Sequence, residues 1–145
     1  MKKRTCFLLC MLTTVLLAAL SLAARDSGQL TLTDVRTTYG ILGPTRADNK
    51  FLAGDAFVVS FNMEGAKTKE GKIRYGIGMQ VSDASGKVLY KQDPVDNETK
   101  SPAGEDKIAA FARLEIGTEQ PAGDYTLKIT VEDRNGGVTQ DLTRS

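Results

Sequence analysis

Histidine and tryptophan are absent from this 145-residue chain, and its two cysteines, Cys6 and Cys10, stand close to its start. Without histidine there is no Ser-His-Asp triad and no Cys-His nucleophile pair. A zinc site built from cysteine and histidine is excluded on the same ground, and zinc held by carboxylates alone is rare. No glycine loop leads into a helix to cradle a phosphate, because Gly76 and Gly78 fall inside a strand-like run. No catalytic residue set and no bound cofactor are therefore expected, and the chain reads as a non-enzyme.

What is present begins with an export signal. Lys2, Lys3 and Arg4 precede an apolar run from Cys6 to Leu22, which closes on the small residues Ser21 and Ala23. A charged start, a short apolar middle and small residues at −3 and −1 are the requirements of a secretory signal peptide. Cleavage is expected after Ala23, giving a signal segment 1–23 and a secreted or periplasmic product. The alternative is an uncleaved N-terminal membrane anchor. The run is near the lower limit for a span, about 17 to 20 residues, and Thr13, Thr14 and Ser21 weaken it. Lipidation would need a cysteine just after the cleavage site, and Cys6 and Cys10 lie too early.

Processing removes both cysteines, so the mature chain forms no disulfide and depends on packing for stability. Export without disulfides behind a Lys-Lys-Arg start suits a bacterial envelope. Processing also takes Lys and Arg from 19 to 16 against 18 acidic residues, a net charge of −2. That balance calls for no basic face, so nucleic acid is not an expected partner. The membrane is met only during export.

The remaining length, roughly 120 residues, is one domain of ordinary size. Residues 24–50 supply an N-terminal strand and a polar linker, and 51–145 the main body of that domain. Leu30 and Leu32 share one face of Gln29 to Thr37, with Val35 out of phase, which predicts an edge strand with a bulge or bend. Strict two-residue alternation then marks Phe57 to Met63 and Ile73 to Val81 as strands. Asp83-Ala84-Ser85-Gly86 is a turn leading into Lys87 to Gln92. Asp93 to Lys107 is polar, holds Pro94 and Pro102, and reads as a loop or crossover. Ile108 to Ile116 alternates as a strand, although its alanine, leucine, glutamate and arginine also favour a helix. Tyr125 to Glu132 alternates, Asn135-Gly136 suggests a type I′ turn, and Val138 to Arg144 pairs back. About seven short strands without a long helix make an all-β, antiparallel sandwich.

Three stretches together resemble the immunoglobulin-like or fibronectin-like sandwiches common in bacterial exported proteins. They are Phe51-Leu52-Ala53-Gly54-Asp55 entering the Phe57 strand, the turn Val81 to Val88, and Pro121-Ala122-Gly123-Asp124-Tyr125-Thr126-Leu127. The last resembles a tyrosine corner, which implies that the Tyr125 hydroxyl returns to the backbone of the preceding corner. The antibody-type cysteine pair and core tryptophan are missing, which excludes a true immunoglobulin domain. Such domains often carry one or two more apolar residues after the position of Ser145, so the final strand is expected to be short or cut.

Asp55, Asp83, Asp124 and Asp133 all sit in turn sequences, where aspartate caps its own backbone. A pair of them spaced for glycoside hydrolysis is the remaining route to catalysis. Asp93, Asp96, Asn97 and Glu98 form the one calcium candidate, with hard oxygen donors but without the glycine of an EF-hand. Asn97-Glu98-Thr99 is a glycosylation sequon with no meaning in a bacterial host. Gly76 and Gly78, with Arg74 and Gln80, form a bare strand face that either packs under a neighbour or docks a partner. These features favour an exported module that binds or spaces cell-envelope or extracellular components, with a protein or glycan partner. The alternatives are a small-ligand carrier closed into a barrel, and a carboxylate-dependent polysaccharide hydrolase.

Overall fold

The computed structural model describes residues 29–100 and 107–145; the export segment 1–23 lies outside the described residues. The chain forms β1 (Thr31–Thr38), β2 (Ala56–Glu64), β3 (Lys72–Asp83), β4 (Val88–Lys100), β5 (Lys107–Glu115), β6 (Tyr125–Asp133) and β7 (Val138–Arg144). They make two antiparallel sheets, β1-β2-β5 and β4-β3-β6-β7. This is an immunoglobulin-like sandwich with the fourth strand on the outer edge of the larger sheet. Among the described residues the two sheets stay separate and do not close into the barrel of a ligand carrier.

Alternation builds the core. Val59, Phe61 and Met63 of β2 face Leu127, Ile129 and Val131 of β6, and Leu30, Ile73, Met79, Ile108, Ala110 and Ala112 complete the buried cluster. The helical alternative for residues 108–116 fails because Ile108, Ala110 and Ala112 are buried and Leu114 is half-buried between exposed neighbours, an alternation that a helix of period 3.6 does not produce. In β1, Thr33 pairs with Asn62 and Arg36 with Ser60, so Asp34 and Val35 oppose one residue. Asp34 takes φ of 49° there, and the bulge turns Val35 onto the core. One outward position departs from expectation. Val58 is fully buried, flanked in the sheet by Thr38 and Arg113.

The expected loop after Gln92 is a strand as far as Lys100. The sequence reads as loop because β4 is an edge strand with no buried residue. Proline is tolerated on an edge or at a bulge, where its missing N–H leaves no ladder bond unmade. Pro94 has both settings: Ile77 pairs with Val95 and Met79 with Gln92, so Asp93 and Pro94 oppose Gly78 alone. The glycine face is consequently covered. A side chain at Gly76 would meet Pro94 and the Arg134 guanidinium at 3.0 and 3.1 Å. At Gly78 it would meet the Gln92 carbonyl oxygen and the Pro94 nitrogen, both at 3.0 Å.

The β6–β7 connection also differs from the predicted type I′ turn. Asp133 pairs with Val138, leaving four loop residues, and positive φ occurs at Gly137, not at Asn135 or Gly136. The cause is Asp133, which is 3% exposed. Its carboxylate accepts from the N–H groups of Asn135 and Gly136, each at 2.9 Å, and from Lys67 N–H at 2.8 Å. Asn135 in turn donates to the carbonyls of Lys67 and Lys72. Two loops are thus tied together at the pole where β1 begins.

Gly78→Ala should destabilise the fold more than Gly76→Ala, since backbone atoms cannot yield as a guanidinium can. The expected cost at Gly78 is about 1–3 kcal/mol, read as a lower urea midpoint with unchanged m-value.

Candidate functional site

The opposite pole carries the loops 39–55, 84–87 and 116–124. Its first loop, expected to be a polar linker, is ordered by one cation. The Arg46 guanidinium lies between two rings, 4.3 Å from the Tyr39 centroid and 4.2 Å from that of Phe51. Its backbone N–H donates to Thr37 O at 2.8 Å and its Nη2 to Lys50 O at 2.8 Å. Phe51 then meets Phe57 at 4.5 Å between centroids, which fastens the loop to the first residues of β2. Nothing in the sequence periodicity signals this stack, because its members stand five and seven residues apart in a non-repeating segment.

Beside this stack the sheets part. A cleft of about 1180 Å³ opens between the end of β5 and the start of β4. Phe57, Val81 and Leu127 line it from within, Leu114 borders it on β5, and Leu89 and Tyr90 on β4. Leu52 projects at its mouth, 75% exposed. The corner 121–124 forms another rim, where the Tyr125 hydroxyl donates to Pro121 O at 2.7 Å. The cleft is apolar because three strands face four. On one side β1 lies against β7, with Arg144 Nη2 donating to Val35 O at 3.5 Å and a smaller groove of about 400 Å³ beside Leu30–Leu32 and Gln140–Leu142. On the other side, among the described residues, β4 has no strand opposite it. Its inward positions, Tyr90 and Val95, pair with Val81 and Ile77, yet are 40% and 54% exposed.

The four calcium candidates do not converge. Asp93 pairs with Lys91 at 3.0 Å, and Asp96 with Arg134 at 2.8 Å. Glu98 bridges Lys72 at 2.6 Å and Arg74 at 2.9 Å, and Asn97 donates to Val95 O. Asp96 and Glu98 stand on the solvent face with the covered glycines, while Asn97, opposite Tyr75, faces the other way. No group of three or more Asp, Glu, His or Cys is placed to hold a metal ion among the described residues. Turn carboxylates are engaged in capping. Asp83 accepts from Ser85 N–H, Ser85 Oγ and Lys87 N–H, and Asp55 accepts from Leu52 N–H at 3.0 Å. Asp124 and Glu115 border the cleft, and Glu115 is paired with Arg113.

Hydrogen bonding lowers four carboxylate pKa values. The donors are chiefly Ser85 for Asp83, Lys72 for Glu98, Lys128 for Asp141 and Thr33 for Glu64. The Glu64 hydrogen bond raises Lys107.

No family model and no curated protein matches the chain. Solved structures of similar shape include a β-glucuronidase of Bacteroides uniformis, at 11% identity and a TM-score of 0.43, over 79% of this chain and 13% of that one. A calcium-binding mutant of β-glucuronidase 2 from the same organism gives 11% and 0.44, over 83% and 14%. This chain therefore spans only a small part of those enzymes.

Arg46→Ala should lower stability by about 1–2 kcal/mol, and Arg46→Lys should recover little of it, since a compact ammonium does not stack between two rings as a planar guanidinium does. Thermal melts of the two variants check this. The lowered carboxylates stabilise the fold above their unfolded values, about 4, and that contribution is lost as pH falls through the folded values. Lys107 contributes below its unfolded value, about 10.4, and loses that contribution as pH rises through its folded value. A urea midpoint that is flat near neutrality and falls on the acid side, less steeply in high salt, is the expected profile.

Proposed function

We propose that this chain is an exported, non-catalytic β-sandwich module that binds or spaces components of the cell envelope. The observation that carries the reading is the apolar cleft at the pole opposite the start of β1. Large side chains such as Leu52 and Leu89 stay exposed there, and exposed apolar patches rimmed by polar residues commonly serve recognition. Loops on a rigid sandwich are the usual place for such contacts. Asp55, Asp83 and Asp133 are engaged in caps, and Asp93, Asp96, Glu98 and Glu115 in ion pairs, which supports a binding role over a hydrolytic one. The lysine-led N-terminus supports export.

Fractionation of cells expressing the full chain, with mass measurement of the mature N-terminus, tests the first half. Cleavage after Ala23 and recovery outside the cytoplasm are expected; an intact chain in the cytosol would refute export. A photo-crosslinking residue at Tyr90 tests the second half. It should form an adduct with an envelope component, whereas the same residue at Lys69, at the other pole, should not.

A further inference from the structure

Resting on the module reading above, we infer that the gap between β4 and β5 is a slot for one extended peptide segment, which enters as a fourth strand beside β5. The argument starts from the four sheet edges. A free edge presents unpaired N–H and C=O groups, and folded proteins blunt it with bulges, proline or inward charges. β1 has the Asp34–Val35 bulge. β4 has two irregularities and Pro94. β7 places Gln140 and Arg144 opposite Val131 and Leu127, on the core side. β5 has none of these. Its nine pairs with β2 run without a shift, and its inward residues are Ile108, Ala110, Ala112 and Leu114.

Such an edge would invite a second copy of the chain, but β4 stands in the way. The larger sheet reaches one strand, about 4.8 Å, past β5. An antiparallel pairing of two β5 strands requires a two-fold axis normal to the sheet, and that axis would lay the second copy's larger sheet onto the first. A single strand without a sheet behind it meets no such obstacle. It would pair its backbone with β5 and set alternate side chains onto Tyr90, Val95 and the half-buried Ile77. Charge selects its composition. Bordering charges are already matched, Arg113 with Glu115, Lys107 with Glu64 and Lys91 with Asp93. Inward positions of β4 carry Tyr90, Gln92, Val95, Asn97 and Thr99, all neutral. The complementary occupant is a strand with uncharged, alternately apolar residues, the mode of β-strand addition.

The probe is a capped heptapeptide alternating valine and threonine, added to the mature protein. Amide hydrogen exchange along Lys107–Glu115 should slow, and exchange in β1 and β7 should not change. Val95→Lys, at a position that is 54% exposed and so tolerant, should keep the melting temperature. It should weaken the peptide about tenfold or more, because it buries an unpaired charge. Replacing the valines of the peptide with lysine should abolish binding. Unchanged β5 exchange at saturating peptide, or equal binding by Val95→Lys, would overturn the slot. An envelope adduct at Tyr90 that survives Val95→Lys, with β5 exchange unmoved, would refute the slot while leaving the module reading intact.

Discussion

A layer of three strands is narrower than a layer of four by about one inter-strand spacing, roughly 4.8 Å, and much of this molecule follows from that mismatch. Where β1 meets β7 the layers end together, leaving only a smaller groove between Leu30–Leu32 and Gln140–Leu142. On the other side β4 overhangs. Among the described residues Tyr90 and Val95 have no layer above them, so hydrophobic groups that alternation aims inward remain 40% and 54% exposed. The cleft and the recessed β5 edge are two views of the same shortfall.

The alternation of β2, β3, β5 and β6 was legible in the sequence, because each sets a line of apolar residues on the core face with a period of two, and β7 was legible as a run that pairs back. Val35 was legible too, as a phase error that the bulge at Asp34 explains. β4 was not legible beyond Gln92. Its residues answer to no core, and its bulge at Pro94 breaks the phase, so neither composition nor rhythm distinguishes it from loop. The Arg46 stack was hidden for another reason: cation–ring contacts between non-periodic residues leave no pattern to read. Type I′ chemistry at Asn135-Gly136 was a sound local preference that a buried carboxylate overrode.

The site inherits the same division. Individual acidic residues were visible, and most prove to be caps or ion-pair partners. The apolar cleft was not visible, since it arises from which strand stands opposite which, a property of topology. Asp133 illustrates the cost of that topology. A buried carboxylate is tolerable only when its oxygens are filled, and three backbone donors from two loops fill them. The far pole is thereby held firm while the cleft pole is left open.

The path of the chain through the sandwich has a mechanical consequence. It enters β1 at the pole held by Asp133 and leaves β7 at the cleft pole, with β1 and β7 running in the same direction. A pull on the two ends would therefore act along the strands, across ladders whose bonds lie perpendicular to them. Those bonds would be loaded in shear, many at once, and not peeled open singly, which is the geometry of a link that carries tension.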